Sequence, residues 1–406
     1  MRSISSVRRS LVLIALSFLL WGVLRSLDDI LVALFQASFT LPYAIAMLVH
    51  FSFFSAYLLG CIPAGIYLRH YGYRNSLVCA LMMMTAGSAI CMIALWLHVY
   101  QFCLAGVFVI GIGIAVLQTA ANPCVSLLGP EGTATARLLL VQCFNALGAM
   151  LSPLAGTILF GTWTRLSPAQ LAFPRTRLAT IYLAATSLLF LLSIVVKRSF
   201  ASILSQKRSS HGSGWNLLRH RPLLCGIVAT FLYVGTEATL LGHSIPYLSG
   251  HGRTGFLPST AATLLSVYWG AVIIGRISAA QLLRRVHTRT LLQGASVLAF
   301  CLIQVSIFGQ GSSASAALLA TGLCNAVIFP AIFSLSTAGL KVEELPHASA
   351  LLSTSMCGGA VLPILSGTLA DHFGITTAFA LPSLVYAFIA LGATIFFPPD
   401  YHLQNS

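Results

Sequence analysis

Read for hydrophobic and polar positions, the chain alternates long apolar runs with short, mostly basic breaks. Twelve apolar segments emerge, at approximately residues 10–37, 42–68, 76–98, 102–128, 137–160, 179–197, 223–249, 260–284, 290–309, 313–340, 347–370 and 376–397. Each is near or above the length that an α-helix needs to cross a hydrocarbon core about 30 Å thick. The first segment is irregular. Its apolar run from Leu11 to Leu24 is too short to cross alone, so the helix must continue through Arg25, Asp28 and Asp29 to about Phe35. Charges at that depth are costly and tend to face a protein interior or a water-filled cavity. The cluster is therefore expected to line a solute or ion pathway.

The breaks carry a second pattern. Arg2, Arg8 and Arg9 precede the first segment, and if that end is cytoplasmic the even-to-odd loops are too. Those loops hold Arg69, Arg74, Arg137, Lys197 to Arg221, Arg284, Arg285, Arg289 and Lys341, against Arg165, Arg175, Arg177 and Arg253 on the other side. Basic residues accumulate in cytoplasmic loops, so both termini are expected inside. The longest break, Lys197 to Arg221, reads as a flexible linker. It predicts an N-terminal six-helix bundle (1–197), a cytoplasmic linker (198–222) and a C-terminal six-helix bundle (223–406). The halves also repeat weakly at a fixed offset: Gly60-Cys61-Ile62-Pro63-Ala64 with Leu68-Arg69 aligns with Gly275-Arg276-Ile277-Ser278-Ala279 and Leu283-Arg284.

Composition agrees with this class. Of 406 residues, 57% are hydrophobic and 7% charged, with a mean hydropathy of +0.90; a soluble domain carries roughly 25% charged residues. The net charge of +14 sits in clusters between apolar spans, so it reflects membrane topology and not a nucleic-acid partner. The ten cysteines stand singly in apolar runs and read as small buried hydrophobes, neither a disulfide framework nor a metal site. No cofactor is expected. No small-residue cleavage site follows the first segment, so it is expected to be retained.

Polar residues inside the spans supply the candidate site. Gln118 and Asn122 are four apart in the fourth segment, hence on one helix face, and Pro123 predicts a kink beside them. Gln142, Asn145 and Gly148 share a face of the fifth segment. Amides offer both donors and an acceptor, which suits sugar hydroxyls, although the same groups serve as interhelical hydrogen-bond partners. Glycines such as Gly111, Gly148, Gly358 and Gly359 read as close helix contacts. Glu237 is the one acidic residue of the seventh segment.

With these motifs in view the chain resembles the fucose/galactose/glucose:proton symporters of the major facilitator superfamily, closer to the glucose/galactose branch. The resemblance rests on Asp29-Ile30-Leu31, Pro63-Ala64-Gly65, Gln118-Thr119-Ala120-Ala121-Asn122-Pro123, Leu128-Gly129-Pro130-Glu131, Phe144-Asn145-Ala146-Leu147-Gly148 and Tyr233-Val234-Gly235-Thr236-Glu237. It continues through Tyr268-Trp269-Gly270, Gly275-Arg276 and Asn325 with Phe329 to Leu335. It implies an all-α membrane fold of twelve helices in two pseudo-symmetric bundles. Further implications are proton-coupled uptake of a hexose or related sugar by alternating access, and a monomer in a bacterial inner membrane. Carried over by position, Asp29 and Glu237 become candidates for proton coupling. Asp29, Gln118, Asn122, Gln142, Asn145 and Asn325 become candidates for solute binding.

Three features depart from the family pattern. Arg25 can pair with Asp28 or Asp29 at helical spacing, which favours a charged carboxylate where a proton must be taken up. His50 is a midspan imidazole, and no aromatic side chain follows Glu237 closely. Arg25, Asp28 and His50 are thus possible modulators. An alternative stays open, a facilitator or exporter of another small, possibly anionic, solute bound by Arg25. A transporter-derived sensor would call for extra soluble domains. An enzyme is not expected, since no Ser/His/Asp, metal-ligand or phosphate-loop constellation is present.

Overall fold

The computed structural model describes residues 4–39, 45, 48–160, 172–200, 217, 219–250 and 254–397; within these, side chains 4–5, 28–30, 32–39, 152–160, 172–174 and 258–259 fall outside the description. The described chain is helical. Helix α1 spans Ile4–Phe39, α2 Leu48–Leu97, α3 Tyr100–Leu127, α4 Ala134–Phe160, α5 Ala172–Ser199 and α6 Arg221–Ser249. Helix α7 spans Pro258–Leu282, α8 Thr288–Phe308, α9 Gly311–Thr337, α10 Leu345–Thr354, α11 Gly358–Phe373 and α12 Ala380–Phe396. As the pattern required, α1 runs unbroken through Arg25 to Asp29.

Eleven of the described helical stretches are long and apolar enough to cross a membrane. The longest, α2, has 50 residues and is two passes joined at Gly72, whose φ of 77° lies in the left-handed region. A Cβ there would meet nothing within 4 Å, so the backbone angle, not space, calls for glycine. Dividing α2 at this point yields the twelve passes read from the sequence. Two details differ from that reading. The pass expected at 347–370 is α10 and α11 with a 3₁₀ turn at Ser355–Cys357 between them. The sixth begins at Ala172, not 179, and takes in Arg175 and Arg177, whose long stems can lie along an apolar surface while their heads stay wet.

The repeat is visible in packing. In the first half, a Cβ on Gly60 would meet Ile112 and Ala115, and one on Gly111 would meet Ala56 and the Phe53 carbonyl. In the second, one on Gly275 would meet Leu323 O and Ala326, and one on Gly322 would meet Ala271 and the Tyr268 carbonyl. So α2 approaches α3 as α7 approaches α9. Small residues set these distances because lipid supplies no hydrophobic drive between helices. Gly148 likewise seats α4 on α1 at Leu19 and Val23.

Two apolar cores result. One centres on α1–α5, reaching Phe333, Ala348 and Leu352 of the second half; the other centres on α6–α12. The halves meet along α4 and α7 and along α2 and α10. Thr135 Oγ1 donates to Ser334 Oγ at 2.7 Å, Ser266 Oγ donates to Met150 O at 3.3 Å, and Gly65 packs on Pro346 and Ala350. All ten cysteines are free thiols.

Candidate functional site

The polar centre of the second half is built on four helices. Glu237 of α6 sits one helical turn after Tyr233, whose hydroxyl is 3.2 Å from Oε1. Tyr268 of α7 donates to the same oxygen at 3.3 Å. Asn325 of α9 uses both ends of its amide: Nδ2 donates to Tyr268 Oη at 2.9 Å, and Oδ1 accepts from Tyr386 of α12 at 2.6 Å. Asn325 is 2% exposed. The arrangement is a chain running Tyr386, Asn325, Tyr268, Glu237, Tyr233.

Proton counting constrains the chain. Tyr233 has one phenolic hydrogen and two acceptor contacts, Glu237 Oε1 and the Asn325 carbonyl at 2.9 Å. If that hydrogen goes to the nearer carbonyl, the Glu237 contact is satisfied only when the carboxyl itself donates. A charged carboxylate draws that hydrogen to Oε1, where Tyr268 also donates; a neutral carboxyl can itself donate to Tyr233 and leave the hydrogen on the carbonyl. Glu237 thus sits in a hydrogen-bond chain in which the direction of the Tyr233 hydrogen depends on the charge of the carboxyl.

In the first half the candidates take different roles. Gln118 is buried and its Nε2 donates to Tyr57 Oη at 2.7 Å. Asn122, on the same face one turn on, is wholly buried, and neither end of its amide has a partner among the described residues. An orphaned buried amide costs on the order of 1–3 kcal/mol, so Asn122 is poised for water or a solute hydroxyl. Pro123 lies inside α3 beside it. Gln142 is 4% exposed, and its main-chain carbonyl accepts from the guanidinium of Arg276 in α7. Asn145 is half-buried, and its main-chain carbonyl abuts Gly22 of α1.

Arg25 is half-buried, with its guanidinium carbon 4.8 Å from the Phe53 ring centre and 5.7 Å from that of Phe54. Such cation–π contacts are worth about 0.5–1 kcal/mol at exposed sites and more when desolvated. Asp28 and Asp29 follow on α1, and their side chains lie outside the described residues. His50 is half-buried on α2, one turn before Phe53.

Reading the sequence for polar groups in spans found Glu237 and Asn325 and missed the tyrosines that join them. Tyr233, Tyr268 and Tyr386 look like core aromatics in apolar runs, and only the fold shows their hydroxyls converging. Arg276 was also missed, although a signal existed. The internal repeat puts Cys61, fully buried, at the equivalent position, so a charge there is not what packing asks for.

Twelve membrane passes in two similar halves, with buried titratable groups between apolar walls, define a multi-pass transporter and not an enzyme. Residues 10–354 match the Major Facilitator Superfamily, and the chain belongs to that superfamily, among the fucose/galactose/glucose:proton symporters. A glucose/galactose transporter of Brucella abortus biovar 1 (strain 9-941) is 32% identical over 382 residues, covering 93% of this chain and 91% of the relative. The L-fucose-proton symporter of Escherichia coli K12 is 30% identical over 400 residues, covering 93% and 90%. Among solved structures, an asparagine-to-alanine variant of the E. coli fucose:proton symporter FucP aligns with a TM-score of 0.84 at 27% identity, over 97% of this chain and 100% of that one, and FucP in the outward conformation aligns equally well. The proton:xylose symporter XylE shares the fold alone, with a TM-score of 0.69 at 15% identity.

Proposed function

We propose that this protein takes up a hexose or related sugar together with a proton, by alternating access across a bacterial inner membrane. The observation that carries the reading is the Glu237 network, a carboxyl within a membrane-crossing helix held by two tyrosine hydroxyls that can serve it in either protonation state. The glucose/galactose and fucose relatives support the sugar, and the amide-bearing faces of α3 and α4 are suited to its hydroxyls. In this reading Gln118, Asn122, Gln142, Asn145 and Asn325 surround or support the solute. Asp29 binds solute or shares the proton, and Glu237 carries it. One proton crossing a membrane potential is worth about 2.3 kcal/mol per 100 mV, enough for roughly fiftyfold accumulation. The protein works as a monomer with both termini cytoplasmic, its bundles 1–197 and 223–406, joined by the 198–222 linker, rocking against each other.

Arg25 on its aromatic seat favours a second reading, transport of an anionic solute bound by the guanidinium. Uptake by proteoliposomes separates the two. A panel of hexoses, deoxyhexoses, amino sugars and sugar acids is assayed with and without a pH gradient. Gradient-driven uptake of a neutral sugar is expected. Uptake of acids alone, lost in Arg25→Ala, replaces the first reading with the second.

A further inference from the structure

Arg276 stands apart from the other cross-half contacts. It is 8% exposed within a membrane-crossing helix, where a charge is retained only for a reason. Its guanidinium donates not to a carboxylate but to the main-chain carbonyl of Gln142, in the opposite half. Its Nε has no partner among the described residues. The other polar bonds described between the halves, Thr135 to Ser334 and to Thr288 and Ser266 to Met150, join neutral groups. Arg276 and Glu237 lie within each other's electrostatic reach, yet Glu237 Oε1 is met by tyrosine hydroxyls.

We propose that Arg276 is a positioning residue that keeps the protonated, solute-free carrier from changing state and so prevents proton leak. With Glu237 neutral, the guanidinium has no carboxylate within reach among the described residues and tethers α7 to α4 through Gln142. With Glu237 ionised, it is drawn to that carboxylate, the tether slackens and the empty carrier is free to return. A solute seated on the Gln142 and Asn145 face displaces the tether while the carboxyl stays neutral, so proton and solute cross together. The proton joins Glu237 from water at one end of the pathway and leaves to water at the other. The described charged and titratable groups facing Glu237 are Tyr233 on α6, Tyr268 and Arg276 on α7, Tyr386 on α12 and Arg25 on α1. Of these, only Arg276 bonds across the seam to α4. The inference rests on the reading of Glu237 as the proton carrier.

Two measurements test it, neither needing the natural solute. In proteoliposomes loaded with a pH-sensitive dye, Arg276→Gln should raise sugar-free proton entry about tenfold or more, the factor released by losing one charge-assisted hydrogen bond. Arg276→Lys should stay near wild type, and Arg276→Gln with Glu237→Gln should lose the leak. Absence of leak from an Arg276→Gln protein that elutes as a folded monodisperse species overturns the proposal. A leak that persists when Glu237→Gln is added shows instead that Glu237 is not the carrier. The second measurement leaves Arg276 intact, in case its replacement does not fold. Spin labels at the exposed positions Leu140 of α4 and Gln281 of α7 should separate as the sugar-free protein is made alkaline. A separation that is independent of pH overturns the tether.

Discussion

Removing one oxygen atom from the Glu237 network, by Tyr268→Phe, should weaken transport well beyond its size. The Tyr268 hydroxyl accepts from Asn325 Nδ2 at 2.9 Å and donates to Glu237 Oε1 at 3.3 Å. The residue is 3% exposed, so bulk water does not take the place of the lost group. In the resting protein the change orphans an Asn325 N–H, at about 1–3 kcal/mol, and removes one neutral donor from Glu237, at about 1 kcal/mol. When the carboxylate is charged the lost donor is worth more, about 1.5–3 kcal/mol. The ionised stage of the cycle therefore suffers more than the neutral stage, by roughly 1 kcal/mol or about fivefold. The assay compares solute exchange at equal pH on both sides with accumulation driven by an alkaline interior. Accumulation should fall several times further than exchange, and the denaturation midpoint of the detergent-solubilised protein should drop. Wild-type midpoint and accumulation in Tyr268→Phe would refute the claim that this hydroxyl connects Asn325 to the carboxyl.

Other substitutions should be as discriminating. Gly275→Leu drives a side chain into Leu323 O and Ala326 and should abolish folded protein on size exclusion, whereas Gly294→Ala, facing open space, should be silent. Arg137 donates to Val125 O at 3.1 Å, Ser126 O at 2.6 Å and Pro130 O at 2.8 Å, closing the end of α3 onto α4. Arg137→Ala should cost about 2–5 kcal/mol, since three carbonyls lose a charged donor, and should expose residues 128–133 to limited proteolysis. Arg25→Ala should leave neutral-sugar uptake within a few-fold of wild type while removing inhibition by sugar acids; equal loss of both would place Arg25 in the neutral-sugar site instead.

Much of the architecture was legible because membrane helices obey simple demands. Length and apolarity located the passes, and Gly60 with Gly275 betrayed the repeat, since only glycine lets α2 and α7 approach their neighbours so closely. The break between the second and third passes was legible between residues 68 and 76, where Arg69 and Arg74 interrupt the apolar run, but not that it turns on Gly72, because a left-handed glycine and an ordinary helical one look alike in sequence. At the site, Glu237 and Asn325 stood out as polar groups in apolar runs. Tyr233 and Tyr386 did not, since a tyrosine hides its one polar atom behind a large apolar ring, and their partners are 92 and 61 residues away along the chain. The amides of the first half were identifiable, but not that Gln118 is engaged by Tyr57 while Asn122 has no partner among the described residues. That distinction depends on packing between helices, which periodicity within one helix does not encode.

Coupling is tested most directly by accumulation of D-glucose, D-galactose and L-fucose in proteoliposomes under an imposed alkaline-inside gradient. Three proteins are compared: wild type, Asp29→Asn and Glu237→Gln. The account predicts that the gradient drives uptake of at least one of these sugars by the wild type. Glu237→Gln should abolish that response while sugar exchange across equal pH persists. Uptake indifferent both to the gradient and to the two carboxyl substitutions would contradict it.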